Sequence, residues 1–454
     1  MVSQLSLSSL LVGSQVLLPA VALVAVGLPA LVGRPLAERV TTRLVGAGFA
    51  TAFLAAVATF VLLAVRSFAP EVVHLGQMFG VGHHEATIEL VADGLSIPYV
   101  CFSTALCWIV NVFASRYLHR EPGFTRFFVL LALFGMGMNM MVLAGSIDVL
   151  FAGWEFVGIS SALLIGFFHE RRNAVDAAVR AFVTYRICDM GLLAASVVLH
   201  AAVGSGDFSR MFSGGWPGAV SMLTGPTPLI VSLLIVLAAL GKSAQVPFSG
   251  WLPQAMEGPT PSSAIFYGAL SIHAGAYLLM RCQPLLDAAP AAGWLLVIIG
   301  LGTAVHAVVV GWVQTDIKSM LAYASMTQAG LILAEIGFGF RVLPLVHVVS
   351  HAILRSLQIL RSPSALRDRD ELATALGGHP GGGRRSLPGW LTRRLYGVAL
   401  ARGFEDSVVQ RMVTGPVVAA LEAARDAEAR WVAMLARVGE GSRPNARDRE
   451  GGLR

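Results

Sequence analysis

Apolar runs of about twenty residues recur along most of this 454-residue chain, and that repetition admits only one broad kind of fold. Eleven runs are long enough to span a bilayer: about 9–33, 43–65, 94–115, 126–146, 148–168, 176–202, 227–248, 261–281, 293–313, 319–339 and 342–361. Lipid offers no hydrogen bonds, so a run of this length must satisfy its own backbone and is expected to be a helix. The chain is 55% hydrophobic and 13% charged, with mean hydropathy +0.69, whereas soluble domains carry about a quarter charged residues. The expectation is an all-α, polytopic membrane protein. The first run is too long, and too poor in a cleavage site, for a secretory signal and is read as a span.

Arginine placement sets the expected orientation. The turns after spans one, three and five hold Arg34, Arg39 and Arg43; Arg116, Arg120 and Arg126; and Arg171, Arg172 and Arg180. The opposite turns hold single arginines (Arg66, Arg210, Arg281, Arg341) among acids such as Glu71, Glu85, Glu89 and Asp148. The arginine-rich side is expected to face the cytoplasm, which puts the N-terminus outside and the C-terminus inside a bacterial inner membrane. The net charge of +6 is explained by these turns and gives no reason to invoke nucleic acid. Cys101, Cys107, Cys188 and Cys282 lie in or at the ends of spans, without metal or redox spacing, and read as small buried apolar residues. Composition changes at Arg361. Residues 1–361 read as a transmembrane domain and 362–454 as a charged cytoplasmic tail, with a Gly/Pro/Arg hinge at 377–389, amphipathic helix over 390–437 and a disordered end. Nothing beyond Arg361 reads as a further span.

A charge at membrane depth costs several kcal/mol, roughly, unless it is paired, hydrated or used. Glu155 stands well inside span five and Lys242 in span seven, with Pro247 after it. His273 stands in span eight and His306 in span nine, while His347, His351 and Arg355 recur every four residues on one face of span eleven. A lone membrane histidine is as readily an interhelical hydrogen bond as a conductor. The His347/His351 pair has no third metal ligand at suitable spacing, so no metal is expected, and Arg355 could simply reach the interface. Glu155 and Lys242 are read as parts of a proton relay. The chain has 31 arginines and only two lysines, Lys242 and Lys318. A desolvated lysine can give up its proton, whereas an arginine in effect cannot. Pro247 removes a backbone hydrogen bond and is expected to open the helix beside the lysine, where freed polar groups attract water.

These residues fall within stretches that resemble a known family. "DGLS" (93–96), "GFTRFF" (123–128), "GWEFVGISSALLIGF" (153–167), "AFVTYRICD" (181–189), "GKSAQVPFSGWLPQAMEGPTPSSA" (241–264), "VQTDIKSMLAYASMTQAG" (313–330) and "HVVSHA" (347–352) occur in that order. They resemble the antiporter-like, proton-conducting membrane subunits shared by respiratory complex I (its L subunit), Mrp antiporters and DAB inorganic-carbon transporters. The resemblance implies inverted five-helix repeats, each with a broken helix, around a hydrated polar axis. It implies that Glu155 and Lys242 are a coupled pair, that Lys318 is the lysine of "TDIK", and that His347 and His351 lie on a proton path. Arg186 and Asp189 would be the polar pair of span six. Tyr267 stands where relatives usually have a histidine, His273 follows six residues later, and Arg355 replaces a usual lysine. The second repeat is expected to stop at its third helix.

The expected function is that of a proton-translocating subunit (less readily a sodium-translocating one) that is not itself a catalyst. No Rossmann glycine pattern, Fe–S cysteine set or haem motif is present, so no cofactor is expected. The partner expected from the short chain and charged tail is a peripheral zinc protein resembling carbonic anhydrase, in a DAB-type hetero-oligomer that takes up inorganic carbon. The alternatives are a complex I-like NADH dehydrogenase or hydrogenase assembly, and a non-conducting membrane anchor.

Overall fold

A computed structural model describes residues 7–81, 84–375, 395–397, 399–400, 411 and 415–441. The chain divides into two compact units, Met1–Gly403 and Phe404–Arg454. In the first, all eleven expected spans are present as helices. They are α1 (Leu7–Leu31), α2 (Glu38–Val65), α3 (Ser96–Tyr117), α4 (Phe124–Leu143), α5 (Ile147–Ile165) and α6 (Arg172–Val203), then a short α7 (Phe208–Met211) and α8 (Thr227–Lys242). Next come α9 (Trp251–Gln254) and a broken span made of α10 (Thr260–Ser263), a π-helical turn (Ala264–Ala269), a 3₁₀ turn (Ser271–His273) and α11 (Ala274–Arg281). α12 (Gln283–Ala288), α13 (Pro290–Gly311), α14 (Ile317–Gly337) and α15 (Val342–Ala375) follow. Nine of the spans are long and apolar enough to cross a membrane unaided. α8 is shorter, at 16 residues, and α14 is long enough but more polar.

Leu17, Leu54, Val61, Ile298 and Val305 are exposed on α1, α2 and α13, where the solvent is lipid and exposure carries no hydrophobic penalty. The broken span is the opposite case. Every residue from Thr260 to Arg281 is buried, so its irregular backbone is enclosed by other helices. That is where broken helices are tolerated at membrane depth.

Residues 71–92 were expected only as an acid-bearing turn, and the structure corrects this. They form an antiparallel hairpin, β1 (Glu71–Val81) with β2 (His84–Ala92), between α2 and α3. The hairpin docks on the ends of the helices: Gly145 donates from its backbone to Glu89 (2.8 Å), and Leu90 bridges to Ala144. At the next residue of the connection, a bidentate ion pair ties Asp93 to Arg281 at 2.6 and 3.2 Å. A small two-stranded ladder joins β3 (Phe212–Ser213) to β4 (Val220–Ser221).

The composition change at Arg361 does not end a helix, because α15 runs unbroken from Val342 to Ala375. In the second unit, a helix covers Gly415–Gly441, and every described side chain on it is exposed. The hinge at 377–389 and the disordered end lie outside the described residues.

Candidate functional site

Lys242 is the last residue of α8 and is fully buried. The helix closes on it with paired backbone bonds, Gln245 N–H to Leu240 O (2.9 Å) and Ala244 N–H to Gly241 O (3.4 Å), around Ala244 at φ +50°. This is a Schellman ending, in which one residue turns left-handed and the last carbonyls are satisfied. Pro247 was expected to break the helix. The break is there, but the helix has already stopped five residues earlier, and the proline lies in the following loop, as prolines after such endings commonly do. Trp251 Nε1 reaches back to Gly241 O (3.0 Å), and Val246 N–H donates to Thr303 Oγ1 (3.1 Å).

The ammonium therefore sits at the negative end of the α8 dipole. Nζ donates to Trp154 O at 3.2 Å and stands 4.5 Å from the Tyr185 ring centroid and 4.9 Å from that of Trp154. Gly158 leaves room for it, since a Cβ there would lie 2.8 Å from Nζ. No carboxylate forms an ion pair with Lys242 among the described residues. The resemblance implied Glu155 as its coupled partner, whereas here Glu155 Oε2 pairs with Arg186. Arg186 also donates to Asp189 Oδ2 (2.9 Å), and Trp154 Nε1 donates to Asp189 Oδ1 (2.5 Å). A guanidinium makes two directed bonds where an ammonium offers a point charge, so Arg186 takes the carboxylates. Glu155, Asp189 and Arg186 remain the charged neighbours of Lys242. Glu155 Oε1 is buried without a partner among the described residues.

A second group surrounds the broken span. His273 Nδ1 donates to Ala269 O (2.5 Å), which leaves Nε2 to accept from His351 Nδ1 at 3.1 Å when both rings are neutral. The two rings meet edge to face with centroids 5.1 Å apart. His351 Nε2 is buried and has no partner among the described residues. One turn away on α15, His347 lies between Glu335 Oε1 (2.8 Å) and Gln328 Oε1 (2.9 Å), both on α14. One turn the other way, Arg355 Nη1 donates to Gln358 (2.8 Å). The expected stripe of His347, His351 and Arg355 is thus present, and it meets His273.

The two groups adjoin each other. Ser243, next to Lys242, packs on Gly275, two residues after His273, and Ser161 and Ser271 hydroxyls lie 3.4 Å apart. Three other named residues have surroundings of their own. Tyr267, on the broken span, donates to Ala255 O (2.9 Å) in the preceding turn and packs against Trp251 (ring centroids 6.1 Å apart). His306 is half-buried on α13. Lys318 begins α14 and lines an open cleft with Tyr117, Arg171, Glu257 and Asp316.

Trp154, Tyr185, Gln328 and Glu335 were not foreseen. The aromatics are ordinary span residues until the lysine is placed beside them. Gln328 and Glu335 could have been found from their seven-residue spacing, which puts both on one face of α14. Among the described residues, no group of three or more His, Cys, Asp or Glu could hold a metal ion.

Comparison with known proteins bears on what this arrangement does. Residues 144–375 match the family described as NADH:quinone oxidoreductase/Mrp antiporter, TM, and residues 78–128 match the N-terminus of complex I chain 5. The chain is 35% identical over 294 residues to NADH-ubiquinone oxidoreductase chain 5 of Schizophyllum commune, covering 65% of this chain and 42% of that one. It is 35% identical over 287 residues to NADH-quinone oxidoreductase subunit L of Escherichia coli, covering 63% and 46%. The chain thus spans less than half the length of these two relatives. A solved Mrp complex from Dietzia sp. DQ12-45-1b superposes with a TM-score of 0.64 at 27% identity, over 78% of this chain and 37% of the matched one.

Proposed function

Because the chain belongs to the NADH:quinone oxidoreductase/Mrp antiporter membrane family, we propose that it is a proton-translocating subunit of a hetero-oligomeric membrane complex. The observation that carries this reading is Lys242: a fully buried cation with one backbone hydrogen bond, close to two carboxylates but ion-paired to neither. A lysine so placed holds a proton without being locked to it. In this reading, Arg186 decides which state obtains. While it holds Glu155 and Asp189, the ammonium is poorly compensated and releases its proton. When a carboxylate turns to Lys242, the proton is retained. The Ser161, Ser243 and Ser271 hydroxyls line a route for water toward His273, His351 and His347.

The test is proton flux through proteoliposomes holding the full chain, wild type against Lys242→Ala. Loss of flux in the variant supports conduction; equal flux in both refutes it and leaves the non-conducting anchor. The arginine-rich turns after α1, α3 and α5 support the cytoplasmic side for that end, with the N-terminus outside a bacterial inner membrane.

The coupling partner is read as a peripheral zinc protein resembling carbonic anhydrase, in a DAB-type assembly for inorganic carbon. The exposed helix Gly415–Gly441, which carries Glu422, Arg425, Asp426 and Arg430, supports docking of a soluble protein. Copurification with mass spectrometry decides this. Recovery of such a zinc protein supports it, and recovery of quinone-reducing or hydrogenase subunits assigns the chain to a respiratory assembly instead.

A further inference from the structure

Helix α6 carries a polar stripe longer than the Lys242 site needs. Arg186, Asp189, Ser196 and His200 are spaced by three, seven and four residues, which keeps all four on one side of a helix. On α5, Asp148 and Glu155 are seven apart and likewise share a face. The two stripes meet at both ends. At the inner rung, Arg186 bonds Glu155. At the outer rung, Asp148 accepts from Ser196 Oγ (2.7 Å) and from His200 Nε2 (2.8 Å) through its two carboxylate oxygens.

The outer rung reaches the surface, since the Asp148 and His200 side chains are 19% and 17% exposed. Gly206 lies so close over it that a Cβ would come within 3.1 Å of His200 Nε2 and meet Asp148 Oδ2. The other charged groups gathered at this end are Asp207, which accepts from Thr87 (2.5 Å), Glu89, which pairs with His74 (2.7 Å), and Arg210, 3.8 Å from Asp207.

Between the rungs, seven residues of helix rise make a gap of about 10 Å, which about three hydrogen-bonded waters would cover. α8 packs antiparallel to α6, with Gly241 on Cys188 and Gly191 on Leu234 and Leu237. That register sets Ser232 at the depth of Ser196. Ser232 is 1% exposed and its hydroxyl has no partner among the described residues. The stripe positions in the gap, Ala152 and Leu192, offer no hydrogen bonds.

We propose that Asp148, Ser196 and His200 form the outer mouth of the proton path, joined to the Lys242 site along the α5–α6 seam by water that crosses the Leu192 gap. Histidine is the residue type that takes and gives protons near neutral pH. A proton leaving the lysine passes by water to the imidazole and from it to the medium, and Asp148 holds the ring in register. The gap works as a gate, because a dry apolar stretch interrupts the chain of hydrogen bonds until it is wetted. This inference rests on the conduction reading of Lys242.

The test is flux through the full chain in proteoliposomes, comparing wild type, Lys242→Ala, His200→Gln, Asp148→Asn, and His200→Ala with and without imidazole in the medium. The expected result is a tenfold or greater loss in His200→Gln and His200→Ala. Imidazole should restore His200→Ala but not Lys242→Ala, and Asp148→Asn should shift the dependence of flux on outer pH. If Lys242→Ala alone loses flux while the His200 and Asp148 variants conduct like wild type, the mouth lies elsewhere and conduction stands. Loss of flux in His200→Ala that imidazole cannot restore makes the rung a structural brace and overturns the proposal. If Lys242→Ala conducts normally, the conduction reading falls, and this one with it.

Discussion

One glycine controls how Lys242 can sit. A Cβ at position 158 would lie 2.8 Å from Nζ and 3.2 Å from Arg186 Nη2, both of them ends of long side chains. Gly158→Ala is therefore expected to fold, because the clash falls on groups that can move, and to displace the ammonium from between Tyr185 and Trp154. Proton flux should fall several-fold, while thermal stability changes by less than about 1 kcal/mol; a melting curve beside the flux assay checks both. The charged residues of this site were legible as letters, because a charge in an apolar run is conspicuous. Their pairing was not. Whether Glu155 faces Arg186 or Lys242 depends on side-chain geometry and on the two-bond fit of a guanidinium to carboxylates, and sequence spacing carries neither. His200 and Asp148 were passed over because each lies near a helix end, where a polar residue is ordinary. Only their seven- and four-residue spacing from the deeper charges could have drawn attention to them.

Among elements, the ending of α8 and the β1–β2 hairpin were read least well. Pro247 was a reasonable breaker, yet the stop belongs to Ala244, an alanine in a left-handed conformation that no local rule would have selected. The hairpin was hidden because 71–92 mixes acids, histidines and glycines with its apolar residues, and a turn between spans is expected to be polar. Its pH response is open to measurement. Burial pushes the Glu89 carboxyl up, and the negative charge of Asp207 adds to the effect, more than His74 offsets. A carboxyl whose folded-state value is raised stabilises the fold below its unfolded value of about 4.3, and that contribution is lost as pH rises through the raised value. Hydrogen-exchange protection of β1 and β2, corrected for intrinsic rates, should decline over that window in wild type and stay level in Glu89→Gln. A decline of equal size in the variant would assign the effect to another group.

Across the whole molecule, the count and order of spans were readable because each helix must carry its own backbone bonds through lipid, a demand that length and hydropathy express directly. The broken span shows what such reading leaves out. Thr260–Arg281 is no more apolar than it needs to be, with mean hydropathy 1.3 over an 18-residue window, and it is buried along its entire length. A segment with π and 3₁₀ turns, His273 and Arg281 has no stable life against hydrocarbon. During synthesis it emerges before α13, α14 and α15, and contacts with α14 and α15 form part of its enclosure. Biogenesis is thus expected to be out of order: the segment waits at the translocon or in a half-built vestibule until later helices arrive. Glycosylation mapping of chains truncated after Arg281 should find it incompletely inserted, and extension through residue 362 should fix it in place.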